Sequence, residues 1–358
     1  GYLYVADSGS NTISVINPVT NTVISTITVE GNPRYITYDP SNGYLYVTNG
    51  SLNGCVSVIN PVNNTVIATI TVGISPEYIT YDSSNGYIYV AVPGLIGSTI
   101  GWIYVINPSN NTIVTAIGVG AASEPMGIVY DPHNGYLYVA NSGSNTISVI
   151  NPINNTVITT IPIMSNPLGI AYDLNNEYLY VIDPASHAIY IINGKTNTVI
   201  DTLWVYYTPF AITYVPSNGY LYIIGATAAV TPWTTPLVIN PTNNTVISTR
   251  LLLLSSPFED IIYDSSNGYL YITNGSSISV INPMNNSVVT TIPVGAAFIV
   301  RMVYDADNGY LYVTFDNFSE YGSYGGVAII NPASNTVIGT IELGNGTEPI
   351  GITYDPSN

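Results

Sequence analysis

The chain has 358 residues, 46% of them apolar and only 7% charged, with 21 acids against four basic residues and a net charge of −17. This balance excludes nucleic acid and anionic membrane surfaces as partners, because phosphates need a basic face. No apolar run is long enough to span a bilayer, and the lone Cys55 excludes an internal disulfide.

From the N-terminus, the stretch at Tyr2–Asp7 alternates β-branched and aromatic residues with small ones, and three similar runs follow before the turn at 39–42. At Gly43 the pattern starts again. In this second copy the predicted strands are Tyr44–Asn49, Cys55–Asn60, 65–72 and 77–82. Their Val, Ile, Thr and Tyr content suits a pleated, half-buried surface. Asn60-Pro61, Asn63-Asn64 and Asn85-Gly86 supply the turns between them. The opening pattern recurs at Gly1, Gly43, Gly86, Gly135, Glu177, Gly219, Gly268 and Gly309. A period of about 45 residues, with four strands and no helical period, predicts a propeller blade per copy. Eight copies predict one all-β, eight-bladed β-propeller domain over 1–358, with seven blades as the alternative. The chain starts on a blade's second strand and ends on a first strand, so its termini should share a blade and remove an open sheet edge.

Tyr46-Val47-Thr48-Asn49 reads YVTN, with variants at Tyr4–Asp7, Tyr138–Asn141 and Tyr271–Asn274, each followed by INP and NTVI-type segments. In these motifs the chain resembles the YVTN-type β-propeller repeats of archaeal surface-layer proteins, a family most often described as seven-bladed, which also includes bacterial periplasmic propellers. The resemblance implies an extracellular, cell-surface module with a structural, adhesion or protein-interaction role. Other envelope proteins, a second copy, or glycans are the implied partners. The non-Met start fits a piece of a longer secreted precursor.

Function should sit on one end of the blades. The turns between first and second strands, and between third and fourth, are short and uniform. The three insertions, 92–101, 225–235 and 316–325, all fall at the other end, where binding loops collect on a rigid scaffold. Their aromatics, Trp102, Trp233, Phe318, Tyr321 and Tyr324, are the candidate partner-binding residues. The first strands should line the central channel, with Arg34, Glu77, Phe210, Glu259 and Arg301 at the same end. The two arginines read either as an anion site or as partners of the acids. A second reading is therefore a propeller that binds a small molecule or sugar on the inserted-loop face. An electron-transfer or enzymatic propeller ranks third. No His, Cys or carboxylate cluster has metal-ligand spacing, no Gly-rich phosphate loop opens a helix, and no serine is singled out as a nucleophile. The sequence thus reads as a non-enzyme without a cofactor.

Nine sequons are candidate glycosylation sites: Asn49, Asn63, Asn110, Asn154, Asn243, Asn274, Asn285, Asn317 and Asn345. Five lie in the repeated Asn-Asn-Thr/Ser turn, where turn geometry alone also favours Asn. Cys55 aligns with Ile13 and reads as a small buried hydrophobe. The scarcity of ion pairs beside abundant Asn, Thr, Ser and Tyr predicts tolerance of an acidic exterior.

Overall fold

A computed structural model describes residues 1–94, 100–226, 237–247, 260–296, 298–319 and 322–356. Its strands form eight four-stranded antiparallel sheets, arranged as the blades of an eight-bladed β-propeller, and no helix occurs among the described residues. Blade 1 is built from Pro349–Asp355, Tyr2–Asp7, Thr12–Asn17 and Thr22–Thr28. Blades 2 to 8 cover 33–71, 79–121, 125–162, 170–204, 208–247, 261–293 and 298–345. Closure by the termini is present in the expected register: Leu3 faces Tyr354, Tyr4 faces Thr353 and Val5 faces Ile352. The chain packs as two compact units. Gly1–Thr71 with Leu254–Asn358 carries blades 1, 2, 7 and 8; Val72–Leu253 carries blades 3 to 6.

Burial follows strand position. Second strands such as Tyr44–Asn49 are buried on both faces, whereas fourth strands such as Thr65–Thr71 alternate with solvent. In the first unit Tyr4, Ala6, Ile13 and Val15 pack against Leu45, Val47 and Ile59 of the next blade. In the second unit Tyr138, Ala140, Ile147 and Val149 meet Leu179, Val181 and Ile192 in the same way. One blade cannot cover its own faces, so this stacking makes the core.

The repeated tyrosine of the second strand adds a polar latch at the short-turn end. Tyr138 is fully buried; its hydroxyl accepts from Asn134 Nδ2 at 2.8 Å and donates to Asn197 Oδ1 in the next blade at 2.6 Å. Tyr89 reaches Asn155, Tyr180 reaches Asn244, Tyr4 reaches Asn64 and Tyr271 reaches Asn335 at equivalent places. The receiving asparagine also turns the chain: Asn64, Asn155, Asn197, Asn244 and Asn335 have φ between 52° and 55°. Asn tolerates that left-handed conformation and presents a carbonyl there. Burial pushes the Tyr271 and Tyr312 phenols up to about 12, so they remain neutral donors.

Two details depart from the alternation pattern. The first strand of blade 3 begins at Ile79, because Glu77 and Tyr78 pair irregularly with Ala91. Other first strands bulge at the same place, as between Pro33 and Ile36. The insertion at 316–325 is less a loop than an extended hairpin. Tyr310–Ser319 and Gly322–Asn331 stay paired out to Ser319 and Gly322.

Candidate functional site

The first strands end at equivalent Asp or Val residues: Asp39, Asp82, Asp131, Asp173, Val215, Asp264, Asp305 and Asp355. At the opposite, inserted-loop end, four residues before each terminus, stand Tyr35, Tyr78, Gly127, Gly169, Ala211, Asp260, Arg301 and Gly351. Glycine has a packing reason there. A Cβ at Gly351 would come within 2.4 Å of the Arg34 carbonyl oxygen, and one at Gly127 within 2.5 Å of that of Leu168. Asp260 and Arg301 are the exceptions that bring charge to this position.

Both are held firmly. Thr273 Oγ1 accepts from the Asp260 amide at 3.0 Å and donates to its carbonyl at 3.2 Å. Thr314 does the same for Arg301, at 3.0 and 3.3 Å. Thr48 does so for Tyr35, at 3.1 and 3.4 Å. The threonine of the YVTN, YITN and YVTF segments therefore supports the bulged first strand, a role invisible from spacing alone. Asp260 Oδ2 accepts from the Met302 amide at 2.8 Å, which ties blade 7 to blade 8. Burial pushes the Asp260 carboxyl up, and the Arg301 charge draws it back. Arg301 also donates from Nη1 to the Val300 carbonyl at 3.3 Å. Arg34, in the same unit, lies against Gly50, where a Cβ would stand 2.4 Å from its Nε. In the other unit Glu77 is half-buried and Phe210 is 40% exposed. Glu259 lies outside the described residues.

The aromatic candidates are only partly placed. Trp102 and Tyr324, two of the candidate partner-binding residues, are half-buried. Trp102 sits inside Ile100–Asn107 and packs over Gly118. Tyr324 packs on the core beside Phe315, ring centres 6.5 Å apart. The cause is strand extension: pairing carries these positions into the sheet. Phe318 belongs to the strand Tyr310–Ser319, while Trp233 and Tyr321 lie outside the described residues.

The sequons divide by burial. Asn63, Asn110, Asn154, Asn243 and Asn285 are exposed in the short turns, and Asn345 is exposed at a strand end. In each of the five turns the Asn Oδ1 accepts from the hydroxyl two residues on, at 2.6–2.8 Å. Asn317 is half-buried. Asn49 and Asn274 are buried, and Asn49 Nδ2 donates to Ser57 Oγ at 2.9 Å, so neither side chain stands open to solvent in the folded chain. Cys55 is buried as expected, and burial pushes its thiol up. Among the described residues no group of three or more His, Cys, Asp or Glu is arranged around a metal position.

No family model and no curated protein matches the chain. Solved structures match by fold. The dihydro-heme d1 dehydrogenase NirN in complex with DHE is 11% identical, with a TM-score of 0.79 over 99% of this chain and 75% of that one. The periplasmic gluconolactonase PpgL of Pseudomonas aeruginosa is 14% identical, with a TM-score of 0.61 over 81% and 94%. Virginiamycin B lyase from Staphylococcus aureus is also 14% identical, with a TM-score of 0.61 over 87% and 94%. These identities speak to the fold alone. They nevertheless correct the reading of a non-enzyme: propellers of this shape are named as a dehydrogenase, a lactonase and a lyase, so a missing sequence motif is no ground for excluding catalysis. What the chain shares with all three is the β-propeller fold.

Proposed function

We propose that this chain is a ligand-binding propeller that takes a small anionic molecule at the inserted-loop end of its first strands, with Arg34 and Arg301 as the binding residues and Asp260 as the group that positions Arg301. One observation carries the reading. At a position that packing assigns to Gly, Ala or Tyr in six blades, blades 7 and 8 instead carry Asp260 and Arg301. A repeat that needs no charge there has acquired a braced pair, in a chain with only four basic residues. Asp260 is committed to the Met302 amide and so orients its neighbour. Arg34 and Arg301 offer planar donors suited to a carboxylate. The enzyme names borne by the similarly folded proteins are in keeping with a small-molecule site on this scaffold.

Calorimetric titration with a panel of small carboxylates and their neutral amides tests this. Carboxylates should bind and amides should not. Arg34→Gln should weaken binding about tenfold or more, the loss of one charge-assisted contact. Carboxylate binding that is absent, or indifferent to Arg34→Gln, overturns the reading.

A second reading is an exposed module of a cell envelope, the role implied by the resemblance to YVTN-type repeats. It is favoured by the apolar positions on the exterior of the fourth strands, where Ile24, Ile67, Ile158, Ile200 and Ile338 are 42–46% exposed at equivalent places. Fractionating the native cells tests it, since an envelope module co-sediments with the envelope.

A further inference from the structure

Asparagine followed by glycine is the pair most prone to lose its side-chain amide, because glycine leaves the next backbone nitrogen unhindered. The chain contains that pair eleven times. The reaction needs three freedoms. The glycine nitrogen must reach the asparagine Cγ, its proton must come off, and the side-chain amide must leave. The structure grants these freedoms very unevenly.

Six of the pairs sit in the turn between first and second strands, and there all three are withheld. In blade 2 the Gly43 amide donates to the Asp39 carbonyl at 2.8 Å. Asn42 Nδ2 donates to the Tyr46 hydroxyl at 3.0 Å, and Asn42 Oδ1 accepts from the Tyr44 amide at 2.8 Å. The same three bonds recur at Asn85, Asn134, Asn218, Asn267 and Asn308, all between 2.8 and 3.0 Å. Four more pairs are restrained in other ways. Asn49 and Asn274 are buried. Asn193 Oδ1 accepts from the Lys195 amide at 2.9 Å, and Asn345 is paired with Tyr324 in the sheet. Asn53 is the exception. It is exposed in the hairpin that joins Tyr44–Asn49 to Cys55–Asn60. Among the described residues no hydrogen bond holds its side chain or the Gly54 amide.

We propose that Asn53 is a site of spontaneous modification to aspartate and isoaspartate, and that the turn network shields the six repeated pairs from the same reaction. The Gly54 nitrogen attacks Asn53 Cγ. A new C–N bond forms, the bond to the side-chain nitrogen breaks, and ammonia leaves with the proton from Gly54. Water then opens the cyclic imide at either carbonyl. Nothing is oxidised or reduced. Both products add a negative charge to the hairpin, and isoaspartate also lengthens its backbone by one carbon. The inserted-loop end of blade 2 is therefore where the folded chain ages first.

Incubation of the intact chain in slightly alkaline buffer, followed by peptide mapping, tests this. The peptide with Asn53 should gain the mass of one deamidation at least about tenfold faster than those with the six turn asparagines. Isoaspartate, detected with an isoaspartyl methyltransferase, should be the larger product. In concentrated urea the lead of Asn53 should disappear, because the bonds that shield the turns are gone. Tyr46→Phe removes the phenol that holds the Asn42 amide; it should quicken Asn42 several-fold and leave Asn267 unchanged. Should that variant fail to fold, the comparison within the parent chain decides alone. Three results overturn the proposal: an Asn53 that reacts no faster than the turn asparagines, a lead that persists undiminished in urea, or a product that is aspartate only.

Discussion

The two ends of each blade are made of the same strands yet obey different rules. At the short-turn end a buried tyrosine, an asparagine four residues before it and a left-handed asparagine of the next blade form one network, seen at Asn134, Tyr138 and Asn197. Each member satisfies another, so a change in one strands its partners. At the inserted-loop end the equivalent positions hold Gly127, Tyr35, Asp260 or Arg301, with threonine hydroxyls bracing the bulge where it is needed. The short-turn end repeats one network from blade to blade, while the inserted-loop end joins its blades through residues that change from one blade to the next.

Mutations at the two ends should therefore differ most. Tyr138→Ala opens a cavity in a fully buried site and should cost about 4 kcal/mol by chemical denaturation. Tyr138→Phe keeps the ring but strands Asn134 and Asn197, for a loss of about 2 kcal/mol. At the open end, Gly50→Ala places a Cβ against Arg34 Nε, the far part of a flexible side chain. Its cost should stay within about 0.5 kcal/mol, while carboxylate binding through Arg34 weakens. Equal costs at the two ends would erase the distinction.

Asp7 sharpens the comparison from inside the sheet. It occupies the last position of the YVAD segment, is fully buried, and accepts from Ser14 Oγ at 2.6 Å. Burial pushes its carboxyl up from 3.8 to about 7, against the lowering effect of that bond. The folded chain therefore holds the proton more tightly than the unfolded chain does. This contribution is complete at acid pH and is lost as pH rises through about 4 to 7. Burial acts in the same direction on Asp173, Asp260 and Asp316, which favours a fold that keeps its stability in acid. Asn49 and Asn141 fill the equivalent place with an amide that donates to Ser57 and Ser148 at 2.9 and 2.8 Å. Asp7→Asn should thus stabilise the chain by about 2 kcal/mol at pH 7 and hardly at all at pH 4. A gain of equal size at both pH values would remove the buried charge as its cause.

Glu177→Gly is the next step down. It trades a left-handed Glu for the residue found at φ 71–77° in six other blades and should add about 1 kcal/mol. The exposed His133–Glu177 contact offsets little of that gain. A variant that denatures at a lower urea concentration than the parent chain would show that the contact outweighs the strain.

How much of this could be read in advance depends on whether partners share a repeat. Strand alternation, turn asparagines and the register of Leu3–Val5 on Ile352–Tyr354 follow from copies laid over one another. The latch was hidden because Tyr138 and Asn197 sit in different copies, and every copy carries the same pair, so no position stands out. The extended hairpin near Asp316 was hidden because its Gly, Ser and Tyr composition resembles a loop. The His133–Glu177 contact had a signal: both residues break the repeat at places that meet only when one blade stacks on the next. The threonines had one too, since Thr48, Thr273 and Thr314 appear only where the facing first strand carries Tyr35, Asp260 or Arg301.

The smallest effect concerns the turn sequons and decides what their asparagines are for. Asn63 Oδ1 accepts from Thr65 Oγ1 at 2.7 Å, a local contact that holds the turn before the fourth strand. Blades 1 and 5 make the same contact without an amide. Thr20 and Thr22 share a hydroxyl bond of 2.8 Å, and so do Thr196 and Thr198. Threonine therefore replaces asparagine at this point within the same backbone. Asn63→Thr should leave stability within about 0.5 kcal/mol, because one exposed hydroxyl acceptor substitutes for another. The variant no longer contains that sequon. If Asn63 carries a glycan in the native source, the intact mass of the variant falls by the sugar increment while its denaturation curve is unchanged. A stability loss well above 0.5 kcal/mol would show that the amide, and not merely an acceptor, is what the turn requires.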